Sequence, residues 1–248
     1  MSKFADKLKR SFGNTNQAIG FRKPSADEEI PSILIMVDIG STTLKKIKDL
    51  VSGGMDAFLV ENAENNLDKI GKTTGNMPLG IIFAEGEDIT ADNTSGDFIV
   101  FGLKARADLP LDKNMGKLLR VTEPLAPGMI KAINDLDISV DGVVIDFKDN
   151  PLDIQFILTC HLFNDLLNKP LLVRVYKNDI SESEMKSLGA AGVHGLWLSN
   201  DIPVSSIKKI KKDIAALPAG TRKDKHTVPL IPGMNFSQQE TEEIEDDE

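Results

Sequence analysis

The chain is poor in several residue types, and each shortage closes off a class of protein. Its 248 residues hold one cysteine, one tryptophan, one tyrosine and three histidines. A single cysteine allows no internal disulfide, so a reduced, cytoplasmic protein that folds on its hydrophobic core alone is expected. With one Trp and one Tyr there is little to stack nucleic-acid bases, and a formal net charge of −9 argues the same way. No apolar run approaches the roughly 20 residues that a membrane span needs, which excludes an integral membrane protein. The N-terminus also lacks the apolar stretch of a signal peptide.

What is present describes a globular chain. Apolar residues make up 41% of the sequence, enough for a sizeable core in a chain of this length and too many for disorder throughout. The charge is unevenly placed. The first 24 residues carry Lys3, Lys7, Lys9, Arg10, Arg22 and Lys23 against Asp6. Residues 240–248 hold seven acids and no base. Without those nine residues the net charge is only −2, and the sequence divides into a basic lead-in (1–30), a patterned body (31–217) and an acidic, largely disordered tail (218–248). Phe4, Leu8 and Phe12 recur at i, i+4 and i+8 and predict a short helix packed over one end of the body. Within the tail, Val228–Met234 is apolar enough to lie against the body.

Between Pro31 and Leu217 short apolar runs alternate with polar or helix-patterned segments. Eight runs stand out: Ile33–Val37, Ala57–Val60, Leu79–Phe83, Phe98–Phe101, Leu118–Val121, Gly142–Ile145, Leu171–Val175 and Gly195–Leu198. Their unbroken hydrophobicity suits strands covered on both faces, hence a parallel sheet. Helices are expected at Ser41–Ser52, Pro124–Leu136, Pro151–Leu167 with an apolar face of Leu152, Phe156, Leu158, Leu162 and Phe163, Ser181–Ala191 behind a Ser-Glu-Ser-Glu cap, and Val204–Leu217. The links after the second, third and fourth runs have room for two or three helical turns at most. Even-numbered runs follow a Gly or Asp marker (Gly54-Met55-Asp56, Gly96-Asp97, Asp141-Gly142, Gly192-Val193-His194-Gly195), so the repeating unit is strand–helix–strand–helix, four times over.

In this layout residues 31–217 resemble the (β/α)8, or TIM-barrel, superfamily, in which a helix-ending Gly, an acidic residue and a buried strand often follow one another. The resemblance implies a site at the C-terminal ends of the strands. Alternation then selects the inward residues, because helix-facing positions must be apolar. It sends Asp38, Glu61, Glu85, Lys104, Arg120, Thr122, Asp146, Lys148, Arg174 and Tyr176 to the mouth, with Ser199 and Asn200 after the eighth strand. Arg174 should lie between Asp38 and Asp146, since buried charges need partners.

Two guanidiniums at that depth suit a small anionic, carboxylate-bearing substrate, with Arg120, Arg174, Asp38, Tyr176 and Asn200 binding it. Lysine chemistry is one expectation: Lys148 or Lys104 forms a Schiff base with a carbonyl while Asp146, Glu61 or Tyr176 moves protons, an aldolase or lyase reaction. Lys148 is similar in placement to the sixth-strand lysine of Schiff-base barrel aldolases. The other expectation is enolate formation, either with no cofactor or with a divalent cation such as Mg²⁺ on Asp38, Glu61, Glu85 and Asp146. Asp146-Phe147-Lys148 is similar to the Asp-x-Lys segment of orotidine-phosphate decarboxylases, but Pro151 stands where their second Asp would be. Cys160 and His161 are neighbours on a helix and diverge by about 100°, so they form no dyad. No histidine is expected at the mouth, and the turns after the seventh and eighth runs lack phosphate-cradling glycines, which argues against FMN. The alternative to an enzyme is a barrel that serves as a partner-binding or structural subunit, its basic and acidic ends pairing across a homo-oligomer.

Overall fold

A computed structural model describes residues 2–14, 31–40, 42–61, 67–90, 94–109, 112–148 and 151–217. The acidic tail, most of the basic lead-in after residue 14, and His226 lie outside them. Eight parallel strands, β1 (Leu34–Asp38), β2 (Ala57–Glu61), β3 (Leu79–Ile82), β4 (Phe98–Gly102), β5 (Gly116–Val121), β6 (Gly142–Ile145), β7 (Leu171–Val175) and β8 (Val193–Leu198), close into a barrel in sequence order, with β8 returning to β1. The chain thus has the (β/α)8 fold.

Among the described residues seven α-helices accompany the strands: α1 (Lys3–Asn14), α2 (Leu44–Ser52), α3 (Leu67–Thr74), α4 (Pro127–Ala132), α5 (Ile154–Leu166), α6 (Glu182–Ala190) and α7 (Val204–Ala215). Local chemistry sets their ends. Thr43, Asp153 and Ser181 accept backbone N–H groups as N-caps of α2, α5 and α6, and Ser181 forms a reciprocal capping box with Glu184. Pro127 stands at the start of α4, where its missing N–H costs nothing. Among the described residues no helix follows β3 or β4, and the loops on that side bring Ile89, Ala105, Leu109 and Met115 against the strands instead.

Alternation divides the apolar residues into two cores. Ile35, Val37, Phe58, Val60, Ile99, Phe101, Val143, Ile145, Val173, Leu196 and Leu198 face outward to the helices and loops. Leu34, Met36, Leu59, Ile82, Phe98, Val100, Leu118, Val144, Leu172 and Trp197 fill the barrel. The expected apolar face of α5 needs correction. Phe156, Cys160, Phe163 and Leu167 are buried, but Leu158 and Leu162 stand outside, 61% and 38% exposed, because positions two after Phe156 and Cys160 lie roughly 200° away around the helix.

Helix α1 seals the bottom of the barrel, as its three-residue stripe predicts. Phe4 and Leu8 are fully buried in the inner core, Phe4 stacks on Phe98 at 4.6 Å between centroids, and Phe12 meets the edge of His194. Gly142 makes room for this: a Cβ there would sit 3.1 Å from side-chain carbons of Leu8, Leu118 and Leu172. The markers before the even strands hold the plug. Asp97 accepts from the Ser2 hydroxyl at 2.8 Å and from the Lys3 and Phe4 backbone N–H groups at 2.9 Å, while Asp56 pairs with Lys7 and Asp141 with Lys9 at 2.6 Å. Asp56 and Asp141 also accept the backbone N–H of Ile35 and Lys117 on the preceding strand, at 2.8 and 2.9 Å. His194 occupies the fourth equivalent position and offers Nδ1 to the N–H of Leu171 at 3.5 Å. The strand–helix–strand–helix repeat legible in the sequence is therefore a repeat of hydrogen bonds at the stability face.

Candidate functional site at the barrel mouth

The ends of the strands opposite α1 carry the charged layer. Arg120 is the penultimate residue of β5, Arg174 has the same place in β7, and Asp146 directly follows β6 between them. Outward neighbours Leu119, Val121, Ile145, Val173 and Val175 are buried against the helices, which turns the charged side chains to the axis. Asp146 is the hub. Arg174 Nη1 donates to its Oδ2 at 3.2 Å, Arg120 Nη1 lies 3.9 Å from the same oxygen, and the Tyr176 hydroxyl donates to Oδ1.

The arginines reach further acids at longer range. Arg174 Nη2 lies 3.7 Å from Asp38 Oδ2, and Arg120 Nη2 lies 4.0 Å from Glu85 Oε1. Arg174 thus does bridge Asp38 and Asp146, although β8 separates its strand from that of Asp38. The guanidinium of Arg174 spans the gap by lying over the Trp197 ring of β8, 4.2 Å from its centroid, and it is also 4.8 Å from the Tyr176 ring. Arg120 Nη2 donates to the Phe83 carbonyl at 3.2 Å, whereas its Nε has no partner among the described residues. Trp197 is wholly buried and its indole N–H likewise has no partner among them. Glu85 comes to this ring only because β4 ends in Gly102, where any Cβ would collide with the Glu85 carboxylate.

Burial, the hydrogen bond to Asp146 and the negative charge of that carboxylate push the Tyr176 phenol up to about 12, against the smaller opposing pull of Arg174 and Arg120. The phenol is therefore a neutral donor at neutral pH. Asn200 belongs to the same edge, since it and Asp38 flank Gly40, whose N–H donates to Asp38 Oδ1 at 3.0 Å.

The remaining candidates stand apart. Glu61, Lys104 and Lys148 are exposed, and the side chains of all three make no hydrogen bond or ion pair with the described residues; only the backbone N–H of Lys104 reaches Glu85, at 3.4 Å. Among the described residues no three His, Cys, Asp or Glu side chains gather closely enough to hold a metal ion, and Asp38, Glu85 and Asp146 face arginines instead. Trp197 was missed by sequence reasoning. The signal was present in alternation, since in β8 it is two residues after Gly195 and aligned with Arg174 in register.

No protein-family model matches the chain, and no curated protein matches its sequence. Solved structures do match in shape. Orotidine 5'-phosphate decarboxylase from Pyrococcus horikoshii aligns with a TM-score of 0.57 at 12% identity over 74% of this chain and 100% of its own. Thiamine phosphate pyrophosphorylase from Pyrococcus furiosus aligns at 0.52 and 9% over 74% of this chain and 96% of its own. Tryptophan synthase from M. tuberculosis aligns at 0.52 and 10% over 89% and 99%. At such identities the likeness is one of fold.

Proposed function

We propose that the chain is a small-molecule enzyme that binds a carboxylate-bearing metabolite at the mouth and forms an enolate or related carbanion from it, as lyases and enolate-forming barrels do. One observation carries the reading: the two arginines are shielded but under-used. Their side chains are 11% and 23% exposed, yet three of their four ion pairs with carboxylates are as long as 3.7–4.0 Å and Arg120 Nε is unbonded among the described residues. A guanidinium has five donors in a planar fork, so both can turn free N–H groups to an incoming carboxylate. Asp146, the carboxylate between the two arginines, takes the proton from the substrate carbon, and the Tyr176 hydroxyl, released as that carboxylate becomes the neutral acid, turns its O–H to the developing oxyanion. The names of the structural neighbours, several of which denote enzymes of phosphorylated or otherwise anionic compounds, agree with this class.

Lys148 and Lys104 supply a Schiff-base version from the rim. Borohydride trapping with pyruvate distinguishes it: a mass adduct on either lysine favours the Schiff base, and its absence alongside turnover favours the enolate route. A non-catalytic, partner-binding barrel is the second reading, favoured by the absence of described helices after β3 and β4.

Trp197 makes the test simple, because it is the sole tryptophan and lies under Arg174. Titration with pyruvate, 2-oxoglutarate and inorganic phosphate should give a saturable fluorescence change with a carboxylate. That affinity should weaken about 10- to 100-fold in Arg174→Met, the worth of a charge-assisted hydrogen bond. Exchange of the substrate C3 protons in D₂O, followed by NMR, should accompany binding. No saturable response to any of the three ligands would leave the arginine layer as structural packing and favour the second reading.

A further inference from the structure

Helix α5 has no charged residue from Ile154 to Asn164, and its apolar residues fall on more than one side. A helix of that kind gains from cover beyond the side that faces its own barrel. Here one side is bare: Ile154, Leu158 and Leu162 form an i, i+4, i+8 stripe that is 80%, 61% and 38% exposed. The same chain carries a second unmatched apolar feature. Residues 228–236, Val-Pro-Leu-Ile-Pro-Gly-Met-Asn-Phe, stand in an otherwise polar and acidic tail.

We propose that residues 228–236 dock on the exposed stripe of α5 in the same molecule. Reach supports this occupant over a second copy of the chain. The described body stops at Leu217, which packs beside Gly189 near the end of α6, and α6 in turn packs on α5. The route from there to α5 is about two helix spacings, roughly 20 Å. The ten residues 218–227 have a root-mean-square span of about 17–19 Å as a flexible chain. A tether whose span matches the gap holds its ligand at an effective concentration in the millimolar range, far above the concentration of free copies at micromolar protein. Shape agrees as well. Pro229 and Pro232 favour an extended strand of about 3.1 Å per residue, so nine residues cover about 28 Å, against about 20 Å for the 13 residues of α5. Docked along the helix, Val228, Leu230, Ile231, Met234 and Phe236 supply the apolar cover that the stripe lacks.

Disulfide trapping in the full-length chain tests the assignment. Leu158→Cys combined with Leu230→Cys, oxidised with copper–phenanthroline at about 5 µM protein, should close an intrachain disulfide in most molecules, read by peptide mass mapping. Native Cys160 is buried inside α5 and does not compete. As control, Leu158→Cys combined with Thr241→Cys hangs its second thiol on the same tether beyond the segment, and should close at least tenfold more slowly. Both substitutions in the first pair are at the surface or in the tail, so the barrel fold is not at stake. Equal closure rates for the two pairs would overturn the proposal by reducing the contact to tethering. A covalent dimer through Leu158→Cys would overturn it in favour of a second copy, and the absence of any crosslink would overturn it outright.

Discussion

Asp146 joins Arg120, Arg174 and Tyr176, so its replacement is the most informative single change at the mouth. Asp146→Asn leaves two shielded guanidiniums without their shared counter-charge, and should cost about 3 kcal/mol in denaturant unfolding. It also removes the negative charge that helps raise the phenol of Tyr176, the only tyrosine in the chain, although the amide oxygen can still accept the hydroxyl. Ultraviolet titration of the phenolate should therefore move from about 12 in the native protein toward the ordinary value near 10 in the variant. The sign of the linked stability follows. Because the folded phenol titrates higher than the unfolded one, its contribution is complete below about pH 10 and disappears as pH rises through 12. Much of this residue-level picture was legible in the sequence. Alternation turned Arg120, Asp146 and Arg174 inward, and the need of buried charges for partners put Arg174 between two aspartates. It failed beyond the strand ends, where Lys104 and Lys148 are in turns whose backbone no longer alternates.

At the scale of elements, α1 is a plug held by two means, and each has its own expected cost. Leu8→Ala empties part of the inner core and should destabilise by about 2–5 kcal/mol. Asp97→Ala removes the acceptor for three donors at the start of the helix and should cost about 1–2 kcal/mol, the worth of an N-cap. Both are measurable by urea unfolding, and a loss under 0.5 kcal/mol for Leu8→Ala, on the order of a neutral surface change, would contradict the packing described for α1. The elements themselves were mostly visible beforehand, since all eight apolar runs became strands. Helix α5 shows why its orientation was not. With Gln155, Thr159, His161 and Asn164 scattered around the helix and marking no single outer side, periodicity could not say which apolar positions face the barrel, and Leu158 and Leu162 were assigned to the wrong one.

For the molecule as a whole, the lack of a helix after β3 and β4 among the described residues makes the barrel's cover uneven. Strands β6–β8 are backed by α5, α6 and α7, whereas the outer residues of β3 and β4, among them Ile81, Phe83, Ile99 and Phe101, are backed on their C-terminal side by loops. Loops shed their contacts at lower free energy than helices that bury a full apolar face. Native-state hydrogen exchange should therefore show the amides of β3 and β4 exchanging through smaller openings than those of β7 and β8. Uniform protection around the barrel would mean that the loops cover as well as helices do.

The plug also sets an order of events during synthesis. Helix α1 is made before all eight strands, but its seat is lined by residues from strands spread along the chain, including Phe98, Leu118 and Leu172, with His194 against Phe12. At ribosomal rates of about 5–20 residues per second, the interval between Leu8 and the end of β8 at Leu198 is about 10–40 s. Throughout it Phe4 and Leu8 have no finished barrel to enter. A nascent chain interrupted anywhere before β8 thus carries an amphipathic helix whose apolar stripe has no seat, with an unclosed sheet behind it, the combination that chaperones and proteases recognise.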